Sequence, residues 1–370
     1  MQEAMSIERH MFDNAAEKGL PLYGVLELLP LCNMSCRMCY VRMSREEMEA
    51  EGSLLTAKQW CQLAEQMKRA GTLFVLLTGG EPLLYPGFRE LYLELCKMGM
   101  ILTLNTNATL IDEEWADFFA AHKPRRINIT LYGACEETYE RLCGLSGGFA
   151  RTMEGIRLLK ERGVDIKING SLVKENVSEG IRIAEIAKQL EIPVSIDTYM
   201  YPAVRKENSG TEKIRLEPKE AADAYVRILQ YELGEEDYRI YGAQRLFEVS
   251  HSAEDSSKQR SCQAGKCAFA VTWKGKLQPC VQLREPAISL LEYDFEKAWK
   301  VLSQRIKQIR PCHTCARCKY RSICQNCAAS AAAETGGFDR AAEYLCCYTK
   351  QIVKHFEACA GDARKSCSMG

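Results

Sequence analysis

Between Tyr23 and Thr198 the chain alternates six times between a short apolar run and an amphipathic segment of helical period. This alternation predicts an α/β fold with a parallel sheet, because a parallel strand needs a crossover before the next strand can pair with it. The pattern alone fits an open sheet as well as a partial barrel. The predicted strands are Val25–Leu29, Leu73–Thr78, Ile101–Asn105, Ile127–Leu131, Ile166–Val173 and Val194–Thr198.

Capping residues, glycine and proline mark the helix boundaries between these strands. Thr56 is placed to cap a helix over Ala57–Ala70, which Gly71 ends. The other predicted helices are one that Asp112 caps and that ends near His122, one over Arg151–Arg162, one that Ser178 caps and that runs to Leu190, and one over Pro218–Tyr231.

Three cysteines, Cys32, Cys36 and Cys39, follow the first apolar run with the spacing C-x3-C-x2-C. This spacing places three thiolates on one short loop. A cubic four-iron cluster held by three thiolates keeps one iron without a protein ligand, and an enzyme can carry out chemistry at that open iron. Taken alone, the spacing also fits half of a zinc site.

A second motif, TGGEP at residues 78–82, follows the second predicted strand. The cysteine loop and this motif, in this order and at these strand ends, resemble the radical S-adenosylmethionine (SAM) superfamily. The resemblance implies a (β/α)6 partial barrel, similar to part of a TIM barrel, with cofactors at the carboxyl ends of its strands. It assigns Cys32, Cys36 and Cys39 to a SAM-binding 4Fe-4S cluster, and Gly79, Gly80, Glu81 and Pro82 to the methionyl ammonium of SAM.

The same resemblance implies further contacts to SAM. Met38 stands where the family usually has an aromatic residue against the adenine, and Tyr40 follows the third cysteine. Methionine can cover a ring face because its side chain is flexible and polarisable. Arg141 matches a position that holds the SAM carboxylate, which suits the two-pronged hydrogen bonding of a guanidinium. The remaining predicted contacts are Asn107, Thr130 and Ser171; a polar residue satisfied at its own strand end is the alternative for each.

Cysteine is frequent in this chain, which has 19, and ten of them lie between Cys262 and Cys347. A short secreted domain would use such a set for disulfides. The N-terminus has no apolar signal region, so cluster or metal ligation is favoured instead. The C-terminal set contains Cys262-x4-Cys267, Gly275-x4-Cys280, Cys315-x2-Cys318-x5-Cys324-x2-Cys327 and the pair Cys346-Cys347.

This arrangement resembles the iron–sulfur SPASM extension of peptide-modifying radical SAM enzymes, which carries two auxiliary 4Fe-4S clusters. Two alternatives stay open. Paired C-x2-C elements also bind structural zinc. The spacing Cys312-x2-Cys315-x2-Cys318 is that of a ferredoxin cluster motif, so Cys312 is also a candidate ligand. By resemblance, the ligands are Cys262, Cys267, Cys280 and Cys327 for the first cluster, and Cys315, Cys318, Cys324 and Cys346, with Cys347 as the alternative to Cys346, for the second.

The resemblance implies an enzyme that cleaves SAM reductively to a 5′-deoxyadenosyl radical and abstracts hydrogen from a peptide or protein. Cross-linking, epimerisation and oxidation are the candidate outcomes. Val281 stands where the sulfatase-maturating branch commonly has Asp, which disfavours formylglycine formation. Cys143 is interpreted as a buried thiol rather than as a donor of hydrogen to a product radical. The alternatives are a radical SAM dehydrogenase of a small molecule and a nonenzymatic iron–sulfur electron carrier, which would need no SAM motif.

Three 4Fe-4S clusters and SAM are the expected cofactors. The expected partners are the peptide or protein substrate, a flavodoxin or ferredoxin as electron donor, and, unless the core binds the peptide directly, a separate leader-peptide-binding protein. The last is expected because about 20 residues before the first strand are too few for a fused leader-binding domain.

Charge and composition set the remaining expectations. Lys+Arg and Asp+Glu are equal at 49 each, and no apolar run has transmembrane length, so neither nucleic acid nor a membrane is an expected partner. We expect a cytoplasmic protein of an anaerobe. The segments Ala203–Glu217 and Ser252–Ser257 are interpreted as connections. The predicted divisions are an N-terminal segment 1–22, a radical SAM partial barrel 23–215, a linker with a helix 216–255, a SPASM domain 256–350 and a tail 351–370.

Overall fold

A computed structural model describes residues 2–202, 211–251, 262–310 and 312–367. The chain divides into two compact units. The first contains Met1–Thr130, Tyr139–Ile168 and Gln263–Ile309, and the second contains Leu131–Thr138, Asn169–Cys262 and Arg310–Gly370. The predicted connection Ala203–Glu217 lies outside the described residues up to residue 210, and Ser252–Ser257 lies wholly outside them. The domain divisions drawn from the sequence stay predictions.

All six strands predicted from the alternation are present, with ends within two residues of the predicted ones, and three further strands follow them. The strands are β1 (Tyr23–Glu27), β2 (Phe74–Thr78), β3 (Ile101–Thr106), β4 (Arg126–Thr130), β5 (Ile166–Ser171), β6 (Val194–Asp197), β7 (Ala268–Val271), β8 (Lys276–Gln278) and β9 (Ile288–Ser289).

The helices of the described residues connect and flank these strands, and none of them has the length and apolar character that crossing a membrane requires. They are α1 (Gln2–Lys18), α2 (Arg45–Glu51), α3 (Ala57–Arg69), α4 (Phe88–Lys97), α5 (Glu113–Ala121), α6 (Glu136–Cys143), α7 (Gly148–Glu161), α8 (Gly180–Gln189), α9 (Thr211–Ile214), α10 (Pro218–His251), α11 (Phe295–Gln308), α12 (His313–Ala316), α13 (Ala328–Thr335) and α14 (Glu343–Cys367).

In the first unit the strands lie in the order β4-β3-β2-β1-β7-β8-β9, and residues 166–168 of β5 lie beside β4. Strands β1 to β4 are parallel, and their register places Glu27 beside Thr78 and Leu77 beside Leu104. The carboxyl ends of β1, β2 and β3 are therefore level at one edge of the sheet. Strand β7 pairs in parallel with the other side of β1, and β8 and β9 continue antiparallel. The alternation did not predict this extension.

In the second unit, β6 pairs with the end of β5, where the Leu172 N–H donates to the Asp197 carbonyl at 2.9 Å. Helices α10 and α14 pack closely because Gly242 leaves room for the Phe356 ring, 3.2 Å from where a Cβ would stand. Helix α10 was predicted to end at Tyr231. The backbone is non-helical at Gly234, where φ is 78°, so a first helix ends within three residues of the predicted end and a second helix continues from the kink to His251.

Two predicted helix caps are confirmed: the Thr56 hydroxyl accepts from the Gln59 N–H, and the Asp112 carboxylate accepts from the Trp115 N–H. The prediction that Ser178 caps α8 is wrong, because Ser178 lies inside a 3-10 turn, Val177–Glu179, that precedes the helix.

The side chain of Asn176 accounts for that turn. It accepts from the Val173 N–H at 2.7 Å and donates to the Ser171 carbonyl at 3.0 Å, which fixes the chain before α8. The helix predicted over Arg151–Arg162 is α7, and it begins three residues earlier, at Gly148.

Candidate functional site

The cysteine loop leaves β1 and stays paired with the end of β2 before it turns. The Gly80 N–H donates to the Leu29 carbonyl at 2.8 Å, and the Glu81 N–H donates to the Leu31 carbonyl at 2.9 Å. Gly79 has a φ of +151°, and a Cβ at Gly80 would overlap the Leu31 carbonyl oxygen. Both glycines are therefore needed for the two backbones to approach this closely.

The far side of the loop is held by the end of α6. The Ser35 N–H donates to the Cys143 carbonyl at 2.8 Å, and the Arg37 N–H donates to the Leu142 carbonyl at 3.0 Å. The Cys143 side chain itself is fully buried. This burial agrees with its interpretation as a buried thiol, and its role stays a prediction.

The three cysteines of the loop are half-buried. The Met34 N–H donates to Cys32 Sγ at 3.3 Å, and the Arg42 N–H donates to Cys39 Sγ at 3.3 Å. Burial is the main cause that raises the pKa of the Cys32 thiol to about 12; Glu81, Cys36 and Cys39 add to the rise, and the Met34 N–H lowers the pKa. Iron at this site would be bound by the deprotonated sulfur, and the N–H donors would then face a thiolate.

This donor set fits a 4Fe-4S cluster. Among the described residues, no group of three or more His, Cys, Asp or Glu side chains is arranged around the position of a single metal ion. A cubic cluster is larger than one ion and takes its thiolates from a wider spacing. The fit rests on three thiolates from one loop and on the N–H groups that point at two of them.

Glu81 is fully buried at the level of the strand ends. Its carboxylate accepts from the Thr106 hydroxyl at 2.8 Å, the Asn107 N–H at 2.9 Å and the Leu83 N–H at 3.1 Å. Burial raises the pKa of this carboxyl to about 7, although the three hydrogen bonds lower it. The side chain thus ties the end of β2 to the end of β3. Its predicted contact with the SAM ammonium stays a prediction.

Asn107 follows β3 and reaches back to the cysteine loop. Its amide nitrogen lies 2.9 Å from Asn33 Oδ1 and 3.6 Å from Cys32 Sγ. Sequence reasoning had assigned Asn107 to SAM and had not singled out Asn33. No local signal marks a contact between positions 75 residues apart.

The other predicted SAM contacts are distributed over several elements. Met38 is buried within the cysteine loop, Tyr40 beside it is half-buried, and Pro82 is buried at the start of a 3-10 turn. Thr130 and Ser171 are the last residues of β4 and β5, and both are half-buried. Arg141 is exposed in the last turn of α6.

The second unit brings several C-terminal cysteines together. Burial is the main cause that raises the pKa of the Cys315 thiol to about 12, and the nearby Cys312 and Cys346 contribute to this rise. Burial likewise raises the pKa of Cys346, with added effects from Cys324 and Cys318.

Asn326 contacts two of these sulfurs. Its backbone N–H lies 3.5 Å from Cys324 Sγ, and its side-chain amide donates to Cys315 Sγ at 3.4 Å. This part of the chain therefore supplies N–H donors to sulfur in the same way as the N-terminal loop.

A buried ion pair contacts α13 and α14, the two helices next to these cysteines. Arg215 pairs with Glu334 on α13, and the Tyr199 hydroxyl donates to the same carboxylate at 2.8 Å. The Arg215 guanidinium also lies 3.6 Å from the ring centre of Tyr344 on α14. Helix α13 begins directly after Cys327, and Tyr344 precedes the Cys346-Cys347 pair.

The cysteines predicted for the first auxiliary cluster have different surroundings. Cys262 is exposed, and Cys280 is half-buried with the Leu283 N–H on its sulfur at 3.2 Å. Cys267 is fully buried in an apolar cluster with Ala15, Leu22 and Phe74. Cys327 is half-buried, and the Ser330 hydroxyl lies 3.6 Å from its sulfur. Their common role stays a prediction.

Comparison with known proteins identifies the class. Residues 26–187 match the model of the Radical SAM superfamily. Residues 26–187 therefore carry a radical SAM domain, and a domain of this kind implies a 4Fe-4S cluster and SAM.

The relatives of this chain differ in the functions that their names state. An AdoMet-dependent heme synthase from Methanosarcina barkeri (strain Fusaro) is 27% identical over 336 residues, which is 84% of this chain and 92% of that protein. The antilisterial bacteriocin subtilosin biosynthesis protein AlbA from Bacillus subtilis (strain 168) is 24% identical over 71% of this chain and 56% of that protein. Native anSMEcpe with bound AdoMet and the Cp18Cys peptide shares the fold, with a TM-score of 0.70, 18% identity, and coverage of 93% of this chain and 99% of that one.

Proposed function

We propose that this protein modifies a peptide or protein by radical SAM chemistry. The observation that carries the proposal is the cysteine loop. It follows β1 where the carboxyl ends of β1 to β3 are level, and backbone N–H groups are directed at the sulfurs of Cys32 and Cys39. The peptide substrate class is supported by the likeness to AlbA and to the peptide-bound anSMEcpe structure.

In this proposal Cys32, Cys36 and Cys39 hold the cluster, which leaves one iron open for the methionyl group of SAM. When bound, cluster and SAM supply a 5′-deoxyadenosyl radical that abstracts hydrogen from the substrate. The protein positions these groups. Gly79 and Gly80 bring the end of β2 against the loop, and Glu81 and Pro82 follow at the expected ammonium site.

The C-terminal cysteines are proposed to hold two auxiliary 4Fe-4S clusters. Cys346 rather than Cys347 is proposed as the last ligand of the second one, because its thiol is influenced by both Cys318 and Cys324. That set is completed by Cys315. The first auxiliary cluster is proposed at Cys262, Cys267, Cys280 and Cys327. A flavodoxin or ferredoxin is proposed as the electron donor.

A second candidate function is the modification of a heme precursor. It is favoured by the AdoMet-dependent heme synthase of Methanosarcina barkeri, which this chain matches over 92% of its length. Such a substrate is a porphyrin and absorbs visible light. Its binding can therefore be followed by absorption spectroscopy, which distinguishes the two candidate functions.

The metal content tests the cluster assignment. After anaerobic reconstitution we expect about 12 iron per chain and no zinc, as three four-iron clusters require. About 4 iron with one zinc would keep the radical site and overturn the auxiliary clusters in favour of a structural zinc module.

The substrate is tested by hydrogen transfer. Reduced enzyme is incubated with SAM and either deuterated short peptides encoded beside the gene or a deuterated iron porphyrin. Deuterium in 5′-deoxyadenosine from the peptide alone supports peptide modification. Deuterium from the porphyrin alone, with a shifted porphyrin absorption on binding, favours the second candidate.

A further inference from the structure

The turn after β3 holds its backbone in an uncommon conformation. Ala108 has a φ of +61°, in the left-handed region that residues with a side chain rarely adopt. Gly155 on α7 permits a close approach here, because a Cβ at Gly155 would lie 2.5 Å from the Ala108 carbonyl oxygen. The Thr152 hydroxyl also donates to the Asn107 carbonyl, at 3.2 Å. Strained turns persist where their surroundings fix them, and they concentrate at functional sites.

The side chain of Asn107 is fixed in one orientation by this turn. Its Oδ1 accepts from the Thr109 N–H at 2.9 Å and from the Thr109 hydroxyl at 2.6 Å. A backbone N–H is only a donor, so the carboxamide oxygen must face Thr109 and the NH2 group must face away from it.

The NH2 group of Asn107 has two acceptors. One is Asn33 Oδ1 at 2.9 Å, and the other is Cys32 Sγ at 3.6 Å. Asn33 is itself fixed, since its Nδ2 donates to the Thr109 hydroxyl at 2.8 Å. Asn107 is 7% exposed, so water competes little for these bonds.

A donor at a ligand sulfur affects the iron bound to it. Hydrogen bonds to the sulfurs of an iron–sulfur cluster are among the factors that set its reduction potential. One-electron reduction adds a negative charge, which an N–H group directed at the sulfur stabilises. The same bond fixes the direction in which the sulfur presents itself.

We propose that the Asn107 carboxamide positions the Cys32 sulfur and raises the reduction potential of the cluster at Cys32, Cys36 and Cys39. This inference rests on the proposed function of those cysteines. It gives Asn107 a role toward the cluster rather than the SAM contact predicted from the sequence.

The test is a redox titration of the reconstituted full chain, followed by electron paramagnetic resonance. The component of the spectrum that changes on addition of SAM reports the open-iron cluster. In Asn107→Ser, we expect the ratio of reduced to oxidised cluster at a fixed potential to fall about tenfold, which equals about 59 mV for one electron. Asn107→Asp keeps the oxygen for Thr109 but loses both N–H groups and adds a charge, so its potential should fall further.

Asn105→Ser is the matched control. Asn105 lies two residues earlier on β3, and its Oδ1 accepts from Asn128 Nδ2 at 2.9 Å. A potential in Asn107→Ser equal to those of the wild type and Asn105→Ser overturns the inference. Absence of a SAM-sensitive signal in the wild type would instead overturn the proposed radical site.

Thr109→Val gives a second test if the Asn107 variants fail to retain iron. It removes a hydroxyl that holds the Asn107 oxygen and leaves the backbone N–H in place. The potential should shift in the same direction by a smaller amount. If the Thr109→Val protein has its full iron content and an unchanged reduction potential, the orientation of the Asn107 carboxamide does not set the potential, and the inference is overturned.

Discussion

The two cysteine-bearing regions of this protein are held by different means. In the N-terminal loop, backbone hydrogen bonds from Gly80 and Glu81 continue the sheet up to the residue before Cys32. In the C-terminal segment 312–347, the cysteines lie partly within α12 and α14 and partly in the chain between α12 and α13, and the support comes from side chains such as Asn326 and Glu334. A sheet edge therefore shapes the first site, whereas the second depends on a few polar side chains.

The largest effect is expected from a substitution that removes a cluster ligand from the N-terminal loop and leaves the C-terminal cysteines unchanged. Cys36→Ala removes one thiolate from the N-terminal loop and should abolish formation of 5′-deoxyadenosine. Iron should fall from about 12 to about 8 per chain, because the auxiliary ligands are untouched. Product analysis and iron determination on the same sample check this. Undiminished 5′-deoxyadenosine would remove the radical-site assignment.

The next effect concerns the buried ion pair of the C-terminal segment. Glu334→Ala leaves the Arg215 charge buried without its partner, and we expect the free energy of unfolding to fall by about 3–5 kcal/mol. Urea unfolding measures this. Glu114→Ala, which breaks an exposed pair with Arg89, is the control and should cost much less. An equal decrease in the free energy of unfolding in both variants would show that the buried ion pair does not stabilise this segment.

The buried carboxyl of Glu81 predicts a pH dependence of the N-terminal region. Its pKa is raised from 4.5 to about 7 in the folded protein. Between these values the folded chain holds a proton that the unfolded chain has released, so this group's contribution to stability falls as the pH rises. We expect the free energy of unfolding to decrease by about 3 kcal/mol from pH 4.5 to above pH 7.

Glu81→Gln provides the comparison for this pH series. Its side chain does not titrate, so urea unfolding of the variant between pH 5 and 8 should lack the decrease. Parallel curves for wild type and variant would show that Glu81 is ionised throughout.

The smallest effect tests the backbone contact under the cysteine loop. Gly80→Ala places a Cβ against the Leu31 carbonyl oxygen, and we expect a loss of about 1–3 kcal/mol in stability together with a lower iron content. Gly99→Ala is the control, since a Cβ there meets nothing within 4 Å and only the positive φ of 77° is unfavourable. An iron content in Gly80→Ala equal to that of the control would show that the loop tolerates a shift.

The parts of the fold that the sequence predicted are those with local signals. Thr56 and Asp112 precede helices that they cap by hydrogen bonds within three residues, and the apolar runs of β1 to β6 stand out against polar surroundings. The helix predicted over Pro218–Tyr231 stops near the kink at Gly234, but the prediction did not include the second helix that follows the kink. Strand β7 escaped notice because its four residues lie within the cysteine-rich segment.

The candidate site also contains parts that local sequence signals predicted and parts that they did not. The C-x3-C-x2-C spacing and the TGGEP string are contiguous, so the loop and the neighbouring strand end were predictable. The partners of Glu81 on β3 and the contact of Asn107 with Cys32 join positions 25 or more residues apart. Such contacts depend on strand register and on one strained turn at Ala108, neither of which has a sequence signature.

The pairing of β7 with β1 has a consequence for attempts to isolate the radical SAM portion. Strand β1, which leads into the cysteine loop, has β2 on one side and β7 on the other, although β7 follows it by more than 200 residues. A polypeptide that stopped before residue 263 would expose the backbone of β1 as a bare edge, which invites association with other chains. The smallest independently stable piece is therefore expected to be discontinuous in sequence, and shortening from the C-terminus should yield aggregates before it yields a minimal enzyme.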